Sequence, residues 1–87
     1  MSWSVYVLKC SDDTLYTGIS TDMERRLTEH NQCNKKGARY TRARRPVVLV
    51  YQEFVDNRSE ASKREAVIKK LSRLDKLALI KSCLTPA

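Results

Sequence analysis

Three observations predict an α+β domain in the order β-β-α-β-α-α for this 87-residue chain. Two short runs rich in β-branched and aromatic residues flank a polar turn near the start. A third such run stands alone mid-chain. Three times, a Thr, Asn or Ser precedes a Glu or Asp by three positions, the spacing that opens a helix. No repeat, low-complexity tract or linker interrupts the sequence, so residues 1–87 are read as one domain.

The first strand is placed over Ser2 to Leu8 and the second over Thr14 to Ile19. Ser11-Asp12-Asp13 between them is turn chemistry, and so short a connection makes the pair antiparallel. Trp3, Val5 and Val7 fall on one face, and Tyr6 and Leu8 on the other, which predicts a sheet covered on both sides. Thr21 as N-cap with Glu24 starts a helix from Asp22 to about Gln32, turning Met23 and Leu27 inward. Cys33 to Pro46 shows no periodicity and reads as a loop. Val47 to Val55 is the third strand. Asn57 with Glu60 opens a helix to about Lys70. Ser72 with Asp75 opens a last one, Arg73 to about Ser82, expected to bury Leu74, Leu77 and Ala78.

Hairpin register decides whether Tyr6 and Tyr16 can act together. An even loop sends them to opposite faces. An odd loop, or a bulge, sets Tyr6 near Gly18 and Tyr16 near Leu8, with both phenols on one face. The shared face is the expectation, and Gly18 then leaves room beside Tyr6. Taken singly, each tyrosine is simply a residue that suits strands.

The following helix places Arg26 and His30 at i and i+4, on one face, one turn after the second strand. An arginine, an imidazole and two phenols suit a phosphodiester: the cation holds the phosphate, and the others hydrogen-bond or move protons. Alone, His30 would be a helix C-terminal histidine and Arg26 a surface partner of Asp22. The constellation carries the reading.

Seventeen Lys and Arg against ten Asp and Glu give a net charge of +7, which favours a polyanionic partner, most often nucleic acid. The loop concentrates six of these cations, Lys35, Lys36, Arg39, Arg42, Arg44 and Arg45, around Tyr40 with no acidic residue between them. Arginine grips phosphate in a bidentate manner and tyrosine stacks on bases, so the loop is a candidate nucleic-acid contact. A metal would need oxygen ligands. Glu65 lies at the edge of a stripe with Ala61, Ile68 and Leu71, and could anchor a Mg²⁺ that keeps most of its waters. By spacing alone, a surface pair with Lys69 is the simpler reading, and Glu60 is as good a candidate.

Cys10, Cys33 and Cys83 are odd in number and form no CxxC pair, which argues against a disulfide framework or a zinc site. Reduced thiols and a cytoplasmic location are expected. No signal peptide is expected, and no segment reaches the ~20 apolar residues of a membrane span.

These residues together resemble the GIY-YIG nuclease superfamily, most closely its small stand-alone bacterial members. VYV (Val5 to Val7) stands where the family has GIY, and YTG (Tyr16 to Gly18) where it has YIG. TDMERRLTEH (Thr21 to His30) looks like the next motif, with its arginine on Arg26 and its histidine on His30. REAVIKK (Arg64 to Lys70) looks like the segment whose metal-binding glutamate falls on Glu65. His30 to Val50 also resembles the branch of structure-specific nucleases that cut flaps and junctions.

The resemblance implies a small three-stranded antiparallel sheet packed with helices and one catalytic site with one divalent metal, Mg²⁺ or Mn²⁺. Tyr6, Tyr16, Arg26, His30 and Glu65 would be its catalytic residues, and either tyrosine could be the general base. It implies a DNA endonuclease, with DNA favoured over RNA, a place in DNA repair and a targeting protein partner. No asparagine follows Asn57, where many active members carry one. The alternatives are a nucleic-acid-binding module without turnover, or an RNA-directed nuclease or binder.

Overall fold

The structure is a computed structural model that describes residues 2–33, 35 and 39–84, apart from the side chains of 82–84. Lys36 of the basic loop and the Cys83 side chain lie outside the described residues. Strands β1 (Trp3–Lys9) and β2 (Leu15–Ser20) form the hairpin, and β3 (Val48–Val55) pairs with the other side of β1. All pairing is antiparallel, in the order β2-β1-β3. Each strand lies within one residue of its expected place. The central strand is the one with apolar residues on both faces, because residues 4 to 8 are all buried.

Helix α1 (Met23–Gln32) covers one face. There Tyr6, Leu8, Cys10 and Val47 are buried, with Met23 and Leu27 against them, as expected. A single turn, α2 (Arg39–Arg42), follows α1. Helices α3 (Arg58–Lys70) and α4 (Arg73–Leu84) cover the opposite face over Val5, Val7, Ala61, Ile68 and Ile80. Among the described residues, no helix is long and apolar enough to cross a membrane.

Three expectations are corrected. The N-cap of α1 is Asp22, not Thr21: its extended backbone aims the carboxylate at the Arg25 amide, 3.1 Å away. Both residue types cap helices, and the charged one adds a favourable interaction with the helix dipole. Asn57 and Ser72 cap as expected, accepting from the amides of Glu60 and Asp75. The span from Cys33 to Pro46 contains the turn α2, too short to produce a periodic signal. In α4, Leu74 is 79% exposed and Leu77 40%, and Ala78 is exposed. Ile80 and Leu79 face the core instead. Apolar residues at 74, 77, 78, 79 and 80 surround this helix, so spacing alone selects no face.

Polar contacts fix the loop where periodicity could not. The Asn31 side chain pairs with both backbone groups of Val47, at 3.0 and 2.8 Å. Arg45 donates to the carbonyls of His30 (2.6 Å) and Cys33 (2.9 Å), satisfying the open end of α1. Arg44 donates to Asp12 in the hairpin turn, at 3.1 Å, and its carbonyl accepts from the Ser11 amide. The loop is thereby laid across the Tyr6 face of the sheet.

Candidate active site

The hairpin connection has five residues, 10 to 14, closed by a Cys10 amide bond to the Thr14 carbonyl and by Asp12 accepting from Thr14. Asp13 sits at φ 65°, a left-handed turn position that aspartate tolerates. The odd length gives the expected register: Tyr6 opposes Gly18, and Tyr16 opposes Leu8. Both phenols therefore stand on the face covered by α1. Gly18 lies directly against the Tyr6 ring end; a Cβ there would be 2.6 Å from Cζ.

His30 is fully buried in the last turn of α1. Its Nε2 is 2.8 Å from the Tyr6 hydroxyl, and its Nδ1 is 2.8 Å from Oγ1 of Thr41, also fully buried. The Tyr16 ring meets His30 edge-on, centroids 5.2 Å apart, and stacks on Tyr40 at 5.8 Å. Arg44 lies over the outer face of Tyr40, 3.9 Å from its centroid. The order outward from the core is Thr41, His30, Tyr16, Tyr40, Arg44.

Arg26 hydrogen-bonds the Tyr6 phenol and pairs with Glu29 at 3.1 Å, rather than with Asp22. Glu65 is half-buried and its charge reaches Tyr6. The surface pair with Lys69 is also present, at 3.6 Å. Glu53 clamps the neighbouring Arg64 at 2.9 Å and so ties α3 to β3.

The structure thus brings together Tyr6, Tyr16, Arg26 and His30, with Tyr40 drawn in from the loop, while Glu65 stands on α3, the helix that covers the opposite face, with its charge felt at Tyr6. Arg44 and Arg45 contact this chain's own groups, and Lys35, Arg39 and Arg42 are exposed. Thr41 and Glu29 were missed by sequence reasoning. Glu29 had a signal, its i+3 spacing from Arg26. Thr41 had none, because its partner lies eleven residues away across an aperiodic stretch.

Burial pushes the Tyr6 phenol up to about 12, with Arg26 opposing and Tyr16 and Glu65 adding to the rise. Burial, with help from the Arg26 and Arg45 cations and against Glu29, pulls His30 down from 6.5 to about 4. Neutral forms of both are therefore built into the fold. For His30 the unfolded chain binds the proton more tightly. Its contribution to stability is complete above pH 6.5 and is lost as pH falls through about 4. The shift corresponds to about 3 kcal/mol at most. Urea titrations at stepped pH should show this acid loss in the wild type, and a shallower one in His30→Gln.

Residues 2–78 match the family described as the GIY-YIG catalytic domain. The chain is similar to a UPF0213 protein of Desulfotalea psychrophila, 59% identical over 81 residues, covering 93% of this chain and 73% of that protein. It is 60% identical over 77 residues to a UPF0213 protein of Syntrophus aciditrophicus, covering 88% of this chain and 87% of that one. Two solution NMR structures share the fold. One is the UPF0213 protein of Bacillus halodurans, with TM-score 0.62 and 40% identity over 99% of this chain and 89% of that one. The other is a protein of E. faecalis, with TM-score 0.63 and 46% identity over 94% and 85% of the two chains.

Proposed function

We propose that this chain, which belongs to the GIY-YIG family, is a metal-dependent endonuclease that hydrolyses DNA, with branched or flapped molecules as its substrates. Membership of a nuclease domain family supports an endonuclease and implies a nucleic-acid substrate. The finer reading rests on one observation: a buried phenol bonded at once to a guanidinium and an imidazole, Arg26–Tyr6–His30, beneath a cationic loop.

Tyr6 is a poor phenolate at pH 7, so it serves as a base only by passing its own proton on. His30 Nε2 is in place to receive it. The oxygen of the attacking water bonds to phosphorus and its proton goes to the Tyr6 oxygen. The Tyr6 proton moves to His30, the bond from phosphorus to the leaving oxygen breaks, and that oxygen takes a proton from solvent. A phosphodiester beside Arg26 offsets part of the positive charge that depresses His30, so the imidazole gains basicity when substrate binds. Arg26 also holds the phosphate charge.

Among the described residues, no cluster of three or more His, Cys, Asp or Glu side chains could hold a metal. A lone half-buried carboxylate fits a Mg²⁺ or Mn²⁺ that keeps most of its waters, and Glu65 is the residue that would hold it. Such a cation supplies charge stabilisation to the leaving oxygen. Lys35, Arg39, Tyr40 and Arg42 would grip the nucleic acid, while Arg44 and Arg45 shape the loop.

The test is cleavage of labelled duplex, single-stranded, flap and junction DNA, and of matched RNA, with Mg²⁺, Mn²⁺ or EDTA. Cutting should require metal. Glu65→Ala should slow it by about a hundredfold or more while mobility shifts persist. Binding without cutting on every substrate would replace this reading with a binding module.

A further inference from the structure

We propose that Thr41 is a positioning residue that holds the His30 ring in the tautomer with its proton on Nδ1, making Nε2 the atom that receives the Tyr6 proton. The role assigned to that proton rests on the nuclease reading above; the tautomer itself does not.

The direction of the hydrogen bonds follows from what each group can do. A guanidinium only donates, so the Arg26–Tyr6 bond ends on the phenol oxygen. The phenol proton then needs an acceptor, and Nε2 of His30 stands 2.8 Å away. Burial keeps the ring neutral, so a ring that accepts at Nε2 carries its one proton on Nδ1. The group facing Nδ1 at 2.8 Å is the Thr41 hydroxyl, whose oxygen can accept. The chain reads Arg26 to Tyr6 to His30 to Thr41, each group donating to the next. The opposite tautomer would put N–H against the phenol oxygen and turn the phenol proton away from the imidazole.

Thr41 belongs to α2, between Tyr40, which stacks on Tyr16, and Arg42, one of the loop cations. The residue that sets the tautomer is therefore carried by the segment that grips substrate. Loop placement and proton acceptance are joined through one fully buried hydroxyl.

His30 is the only histidine in the chain, so the imidazole nitrogen spectrum of tag-free, nitrogen-15-labelled protein reports this ring alone. The wild type should show a protonated Nδ1 and an acceptor Nε2. Thr41→Val keeps the volume and loses the hydroxyl. It should give a mixed tautomer signal and slow cleavage by about tenfold or more, with Thr41→Ser restoring both. A wild-type ring protonated on Nε2, or a Thr41→Val ring unchanged from wild type, would overturn the proposal. If Thr41→Val does not fold, the wild-type tautomer still decides. Wild type that cuts no substrate overturns the nuclease reading, and the nitrogen spectrum decides the tautomer independently.

Discussion

Tyr6→Phe should slow cleavage by about 10³-fold while leaving nucleic-acid binding intact, because acid–base groups of this kind contribute about 10² to 10⁴. The substitution keeps the ring, its packing beneath α1 and its edge contact with His30. It removes only the oxygen that links Arg26 to Nε2. The phosphate grip lies on the loop and on Arg26, so mobility shifts should change little. Tyr16→Phe is the paired control. Tyr16 meets both His30 and Tyr40 through its ring, a contact that phenylalanine preserves, so its cleavage loss should be about tenfold. Single-turnover rates on the best substrate measure both. A reversed order, with Tyr16→Phe crippled and Tyr6→Phe active, would move the base to Tyr16 and leave the Tyr6–His30 bond a structural one.

The legible parts of this site were those whose positions follow from a period. A two-residue period and an odd loop put both phenols on one face, and i, i+4 spacing put Arg26 beside His30. The apolar stripe of α3 at Ala61 and Ile68 was legible for the same reason. What could not be read were contacts between segments with no common period. Thr41 reaches His30, Asn31 holds Val47 and Arg45 closes the end of α1, and nothing in the spacing of these residues names their partners. Helix α4 failed differently: its apolar residues run all the way round, so only packing on β3 chooses Leu79 and Ile80 over Leu74 and Leu77. Sequence also treated the six loop cations as one group. The structure gives two of them distinct anchors, Arg44 on the hairpin turn and Arg45 on the end of α1.

Gly18→Ala should be the most destabilising single-methyl addition in the hairpin, at about 2–3 kcal/mol. The reason is space, since Gly18 has no positive φ that would demand glycine. Its missing Cβ leaves the volume that the end of the Tyr6 ring occupies, and a methyl there would lie 2.6 Å from Cζ. The ring has nowhere to go. It is buried under α1, and its hydroxyl is bonded to His30 and Arg26. Either β2 moves away from β1 or Tyr6 leaves its partners, and both outcomes separate the phenol from the imidazole. The melting temperature should fall by roughly 10–20 °C for a chain of this size, and cleavage should fall with it at temperatures where the variant remains folded. The double variant Gly18→Ala, Tyr6→Leu separates the causes. Leucine lacks the Cζ and hydroxyl that a Cβ at position 18 would strike, so if the clash lies with the ring end the double variant should be more stable than the sum of the single losses predicts by about 1 kcal/mol. Strict additivity would mean that glycine is required at this position for something other than the close approach of Tyr6.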